Sequence, residues 1–175
     1  MSDLVSISQK PITVEKTSSL SHVISELLKN KISRLIITDN GYTVGIITEK
    51  DIGLFLLEDD SEKNLDDIPV SQIMKILTSV NQSMTVEKCV EIMLEKEIGS
   101  LGVTSNGNGL IGIITKTDVA QYYVLNYAKK HTVGDVMTIS YVSMDIDTTL
   151  RHAVSEMIQQ RISRIFLKNQ NNEPQ

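Results

Sequence analysis

The chain reads as an α+β protein built from tandem strand–helix–strand–strand–helix (β-α-β-β-α) units, the first two forming a pseudo-two-fold pair packed sheet to sheet. Three observations predict it: a self-similarity stepping by 66 and then 64 residues, an apolar helical stripe at the same place in each copy, and a Gly-apolar-apolar-Thr-x-x-Asp-apolar motif closing the first two copies. Ile32-Ser33-Arg34-Leu35-Ile36 falls over Ile98-Gly99-Ser100-Leu101-Gly102 and over Ile162-Ser163-Arg164-Ile165-Phe166. Upstream the copies align without gaps, matching Leu20 to Val86 and Leu150, Val23 to Cys89 and Ala153, and Leu27 to Met93 and Met157.

The elements follow in order. Leu20, Val23, Ile24, Leu27 and Leu28 recur at helical spacing and predict one buried face. Ser18 and Ser19, Ser83 and Thr85, and Asp147 stand ahead of the three helices as N-caps. β-rich runs come next at Arg34–Thr38, Ser100–Thr104 and Arg164–Lys168, then the turn residues Asp39-Asn40-Gly41 and Ser105-Asn106-Gly107-Asn108-Gly109 of a hairpin. A second strand runs into a second helix through Gly45–Ile52 and Gly112–Val119. Three short strands and two helices are too few to cover both faces of a sheet, so the copies are expected to pair.

The repeats are bounded at residues 1–60, 68–130 and 133–175, with the acidic stretch Glu58–Asp67 as an exposed linker. By register, Gln175 falls where Gly45 stands in the first copy, so the third copy holds its first strand, helix and second strand only. That predicts a shortened chain or a piece of a four-repeat protein.

Composition narrows the function. The 175 residues are 41 % hydrophobic and 22 % charged with a formal net charge of −5, a globular balance that disfavours a phosphate-held nucleic-acid binder. One cysteine, Cys89, permits no intrachain disulfide, and neither a signal peptide nor a membrane-length apolar run is visible, so a cytoplasmic setting is expected. There is no catalytic triad, metal cluster or glycine-rich phosphate loop, which argues against an enzyme.

The closing motif, with Val-x-x-apolar-Met opening the second and third copies (Val70–Met74, Val133–Met137), resembles the cystathionine-β-synthase-type (CBS) repeat family across almost the whole chain. The resemblance implies that two repeats form a disc-like Bateman module that binds adenosine-containing ligands in clefts between them. It also implies dimerisation of such modules. By residues alone, Thr48 and Thr115 at a strand–helix junction suit phosphate oxygens, and Asp51 and Asp118 in the first turn suit ribose hydroxyls. The same Thr-x-x-Asp is also a capping box, and both roles can coexist.

Carried over from the family by register, a first cleft joins Thr115 and Asp118 to Ile7, Ile12, Ile32 and Ser33, and a second joins Thr48 and Asp51 to Ile73, Thr78, Ile98 and Gly99. Ser33, where the second cleft has Gly99, makes the first the better equipped. Lys50, Lys116 and Arg34 are candidate phosphate contacts, while Arg34 and Arg164 also read as contacts to a neighbouring repeat or, in preference, as strand-edge charges. The ligands expected are AMP, ADP or ATP, with S-adenosylmethionine and NADH further candidates and no cofactor required. The partners expected are a second copy of the chain and an unidentified effector protein, with neither nucleic acid nor membrane.

Cys89 sits on the buried stripe and reads as a small core residue, whereas His22 and His152 align with Lys88 at a solvent-facing position. His131 has no Cys or carboxylate at metal-ligand spacing. Tyr122, Tyr123 and Tyr127 resemble an RNA-stacking surface, but with Lys129 and Lys130 as the only local basic pair they fit packing better. The methionines Met74, Met84, Met93, Met137, Met144 and Met157 read as core and linker filling. A nucleic-acid-binding or scaffolding role is the competing class.

Overall fold

In the computed structural model, which describes residues 4–59, 61, 63–106, 109–127 and 131–169, the first repeat runs α1 (Leu4–Ile7), β1 (Thr13–Glu15), α2 (Leu20–Asn30), β2 (Arg34–Asp39), β3 (Tyr42–Thr48) and α3 (Glu49–Glu58). The second runs β4 (Ser79–Asn81), α4 (Val86–Glu95), β5 (Ser100–Thr104), β6 (Leu110–Thr115) and α5 (Lys116–Tyr127). The third has α6 (Val133–Val136), β7 (Ser143–Asp145), α7 (Leu150–Gln159) and β8 (Phe166–Lys168). The expected turn residues Gly107 and Asn108, the basic pair Lys129 and Lys130, and the stretch 170–175 lie outside the described residues.

Each long first helix is started and stopped alike. Ser19, Thr85 and Thr149 accept the backbone N–H three residues on, from His22, Lys88 and His152, each at 3.3 Å. The third cap is therefore Thr149 and not Asp147: the capping oxygen must come from the residue directly before the first helical one. At the other end Lys31, Glu97 and Arg161 are left-handed (φ 52°, 54° and 57°), and the following N–H returns to the last turn (Ile32 to the Leu27 carbonyl, Ile98 to Met93, Ile162 to Met157). The hairpin after β2 turns through Asn40 and Gly41, both at positive φ, as a two-residue connection between right-twisted strands requires.

The chain divides into two units, residues 1–51 with 63–130 and residues 52–62 with 131–175. In the first unit β1-β2-β3 and β4-β5-β6 form two matching three-stranded sheets, each parallel then antiparallel, each with a bulge at the same register (Ile37/Thr38, Val103/Thr104). Ile36 and Ile46 of one sheet meet Ile113 of the other in a shared apolar cluster, flanked by Leu77 and Leu110.

The two repeats also exchange arms. Leu4, ahead of β1, is fully buried in the second repeat's core among Val80, Val86, Cys89, Met93, Leu101, Val103 and Ile114. Beyond it Gln9 and Ile113 trade backbone hydrogen bonds of 2.9 Å in both directions. The second repeat reciprocates, since Lys75 and Ile46 trade bonds of 2.8 Å while Ile68 and Val70 are 1 % and 0 % exposed. The glycine of the closing motif admits each arm: a Cβ on Gly45 would lie 2.7 Å from the Lys75 carbonyl oxygen, and one on Gly112 2.9 Å from Ser8 Cβ.

Two expectations need correction. Leu28 is 72 % exposed, because the buried stripe of α2 is Leu20, Val23 and Leu27 and Leu28 falls past its edge. The acidic stretch is exposed at Glu58, Ser61, Lys63, Asn64, Asp66 and Asp67, and within it residues Leu65–Asp67 form a 3₁₀ turn against α2, where Ser21 donates to Asp66. Met137 is 59 % exposed and fills no core.

In the second unit β7 and β8 pair in parallel, Tyr141 packs edge-on to Phe166 at 5.2 Å, and Arg151 donates to the Leu57 carbonyl at 3.1 Å. Its stripe stays open, with Leu150 80 % exposed where Leu20 is 0 % and Val86 3 %.

Arm exchange makes Leu4 part of a core formed otherwise by residues 80–114. Leu4→Ala is expected to destabilise the first unit by about 2–4 kcal/mol in urea denaturation, as for other buried leucines. A cost below about 0.5 kcal/mol, the range of surface changes, would show that the arm is not docked.

Candidate functional site

A cavity of about 550 Å³ opens between the two repeats of the first unit. β2 and the end of α2 supply Leu27, Leu28, Ile32, Ser33, Arg34 and Ile36, the arm supplies Gln9, Lys10, Pro11 and Ile12, and β6 with the start of α5 supplies Ile113, Thr115, Thr117 and Asp118. Ile12, Ile32, Ile36 and Ile113 make it apolar on facing sides, while Lys10, Lys31 and Arg34 bring positive charge and Glu49 and Asp118 negative. Leu28, left out of the core, thus belongs to a wall.

Of the first cleft expected from the register, Ile12, Ile32, Ser33, Thr115 and Asp118 come together on this cavity, and Arg34 joins them. Ile7 lies off it, packed against the second repeat's core. Lys50 and Lys116 are exposed and line no part of it. Besides Arg34, the cations in the wall are Lys10 and Lys31. Neither carries a local signal in sequence, because Lys10 enters through the arm and Lys31 through the left-handed turn ending α2.

The Thr-x-x-Asp geometry is a capping box in both copies. Thr115 donates to Asp118 Oδ2 through its hydroxyl at 2.6 Å and its N–H at 2.8 Å, and the Asp118 N–H returns to Thr115 Oγ1 at 3.3 Å. Thr48 and Asp51 repeat this at 2.6, 3.0 and 3.2 Å. The single hydroxyl proton of each threonine is thereby given to the aspartate, so the threonine positions its carboxylate and offers no donor to a phosphate in this conformation. One carboxylate oxygen, Oδ1, remains. In the first groove Asp118 Oδ1 accepts from Gln9 Nε2 at 3.3 Å, whereas in the second Asp51 Oδ1 is paired with the Lys75 ammonium at 2.6 Å.

Arg34 is not a strand-edge charge. It donates to the Gly99 carbonyl of the neighbouring repeat at 2.8 Å and to the Ser33 hydroxyl at 3.0 Å. Burial lowers its proton affinity, and the charges of Asp118 and Glu49 work against that loss, so the guanidinium stays protonated between the grooves. Arg164, its register counterpart in the third repeat, is exposed. Around the second groove Thr48 pairs with Arg34 across the strands, Ile73 is buried, Thr78 and Ile98 are half-buried, and the Gly99 carbonyl takes both Arg34 and the Lys116 N–H.

The remaining candidates stay structural. Cys89 is fully buried in the second repeat's core, and burial raises its thiol pKa. Tyr123 stacks on Tyr127 at 5.7 Å, Tyr122 meets it edge-on at 6.2 Å, and Tyr122 packs against that core. Among the described residues no helix is long and apolar enough to cross a membrane, and no group of three or more His, Cys, Asp or Glu is placed to hold a metal ion.

Two small paired sheets with exchanged arms, a capped helix closing each repeat and a cavity between them define a tandem-repeat architecture. The chain belongs to the CBS domain family, whose family model matches residues 1–58, 67–125 and 133–174. A crystal structure from Methanocaldococcus jannaschii, described as that of a proposed archaeal homolog of g-AMPK, superposes with a TM-score of 0.84 at 22 % identity, covering 97 % of this chain and 66 % of that one. A CBS domain protein of Pyrobaculum aerophilum complexed with AMP matches with a TM-score of 0.61 at 21 % identity over 71 % of this chain and 97 % of its own. A CBS domain pair in complex with 5′-methylthioadenosine and S-adenosyl-L-methionine matches with a TM-score of 0.62 at 25 % identity over 70 % of this chain and 96 % of its own. The chain spans 45 % of the length of the first two curated relatives that it matches, at 31 % and 27 % identity.

Asp51, 7 % exposed, holds two donors from Thr48 and the Lys75 ammonium. Asp51→Ala is expected to destabilise the first unit by about 1–3 kcal/mol in urea denaturation, the range for a lost helix cap and charged hydrogen bond, discounted for the exposed lysine. A shift no larger than a surface substitution gives would remove the structural role of the box.

Proposed function

We propose that the first unit is a non-catalytic sensor module that binds an adenosine-containing ligand, AMP, ADP or ATP, in the groove lined by Asp118 and Arg34. One observation carries this reading: a single cavity offers an aligned carboxylate oxygen, facing apolar walls and three cations. Asp118, whose Oδ2 is held by Thr115, accepts from a ribose hydroxyl at Oδ1 when Gln9 swings away. Ile12 and Ile32 flank an adenine, and Arg34, Lys10 and Lys31 meet phosphate oxygens. The AMP complex of the Pyrobaculum relative and the CBS domain pair bound to 5′-methylthioadenosine and S-adenosyl-L-methionine support an adenosyl ligand in this fold.

Signalling follows from differential affinity: a ligand that touches both repeats favours the arrangement in which arm and sheet are closed on it. The readout belongs to an effector protein, and self-association through repeat pairs is part of the same reading. Its setting is the cytoplasm.

Calorimetric titration with AMP, ADP and ATP is expected to give saturable binding between micromolar and millimolar. Asp118→Ala is expected to weaken it by about 1–3 kcal/mol, roughly 5- to 150-fold. Absence of heat and of any thermal shift at millimolar nucleotide, together with tight RNA binding at physiological salt, would transfer the function to the nucleic-acid class.

A further inference from the structure

The two capped aspartates are held alike by their threonines and differ in what takes their remaining oxygen. Gln9 and Lys75 stand at the same place in the two arms: each pairs its backbone with the second isoleucine-bearing strand of the other repeat (Ile113, Ile46), and each extends its side chain to the free oxygen of the local aspartate. In the first groove that contact is a neutral carboxamide at 3.3 Å; in the second it is an ammonium at 2.6 Å on a carboxylate only 8 % exposed. A charge-assisted bond to a buried carboxylate is much harder for a neutral hydroxyl to displace than a long amide contact. Asp51 Oδ2 is already occupied by two donors from Thr48, so Oδ1 is the oxygen a ribose would need. Arg34 also reaches into this groove, but the Gly99 carbonyl it bonds keeps the Lys116 N–H when Arg34 leaves, so the arginine is no comparable lock.

We propose that Lys75 closes the second groove with the chain's own cation, so that the first unit takes up one adenosine ligand rather than two. This rests on the adenosine reading of the first groove and assigns Lys75 as the residue that sets stoichiometry. The register supplies the test, because each arm's residue can be replaced by its counterpart. Calorimetry with AMP, ADP and ATP on the full chain is expected to give one equivalent for the wild type and two for Lys75→Gln. Gln9→Lys, which carries the cation into the first groove, is expected to weaken binding at least tenfold, with circular dichroism verifying that both variants keep the wild-type fold. Two equivalents on the wild-type chain, an unchanged single equivalent on Lys75→Gln, or a loss of binding on Lys75→Gln would each overturn the proposal, the last by making Lys75 a ligand contact. Uptake of no nucleotide by any of the three chains would defeat the adenosine reading and this proposal with it. Binding by the wild type that Lys75→Gln leaves at one equivalent defeats this proposal alone.

Discussion

Reciprocal backbone pairing of Gln9 with Ile113 and of Lys75 with Ile46 is the contact on which the first unit depends. Each pair ties an arm of one repeat to the hairpin of the other, at a glycine that leaves room for nothing larger than hydrogen. The arms deliver Leu4 and Ile68 into the cores and set Gln9 and Lys75 beside the two capped aspartates. Groove and core thus draw on one exchange, whereas each Thr-x-x-Asp cap forms within a single turn. The sheets themselves meet through Ile36, Ile46 and Ile113, since a unit of this size cannot leave a sheet face open to water.

The symmetry that builds the unit is broken by a few side chains. Ser33 answers Gly99, Gln9 answers Lys75, and Arg34 answers Ser100. Each difference acts in the same direction. The first groove keeps a hydroxyl, a displaceable amide and a protonated guanidinium along an open cavity. In the second, the corresponding carboxylate already holds the Lys75 cation.

Much of this was legible before coordinates. The repeat register predicted strand and helix order, the Asn40-Gly41 turn and the buried positions Leu20, Val86, Cys89 and Met93, because periodicity and turn chemistry are local. Thr-x-x-Asp was recognisable as a cap and as a possible ligand contact, and the cap geometry is what aims Asp118 at the cavity. The arm exchange was not legible. Leu4 and Ile7 carry an apolar pattern that says they are buried but not in which repeat, since that depends on the pairing of distant segments. For the same reason Lys10 and Lys31 were missed as wall residues, the edge reading of Arg34 outweighed its contact with the neighbouring repeat, and Leu28 passed for a core residue. Lys75 had a faint signal only as the charged counterpart of Gln9, visible once the repeats are laid in register.

Hydrogen exchange on the free protein tests the arm exchange most directly. If the arms are integral to the paired repeats, the amides of Gln9, Ile113, Lys75 and Ile46 open only with the unit as a whole, and their protection matches that of the Ile36 amide bonded to Ile12 within the first sheet. Exchange of Gln9 and Lys75 at the rate of an unstructured chain, while Ile36 stays protected, would contradict the account.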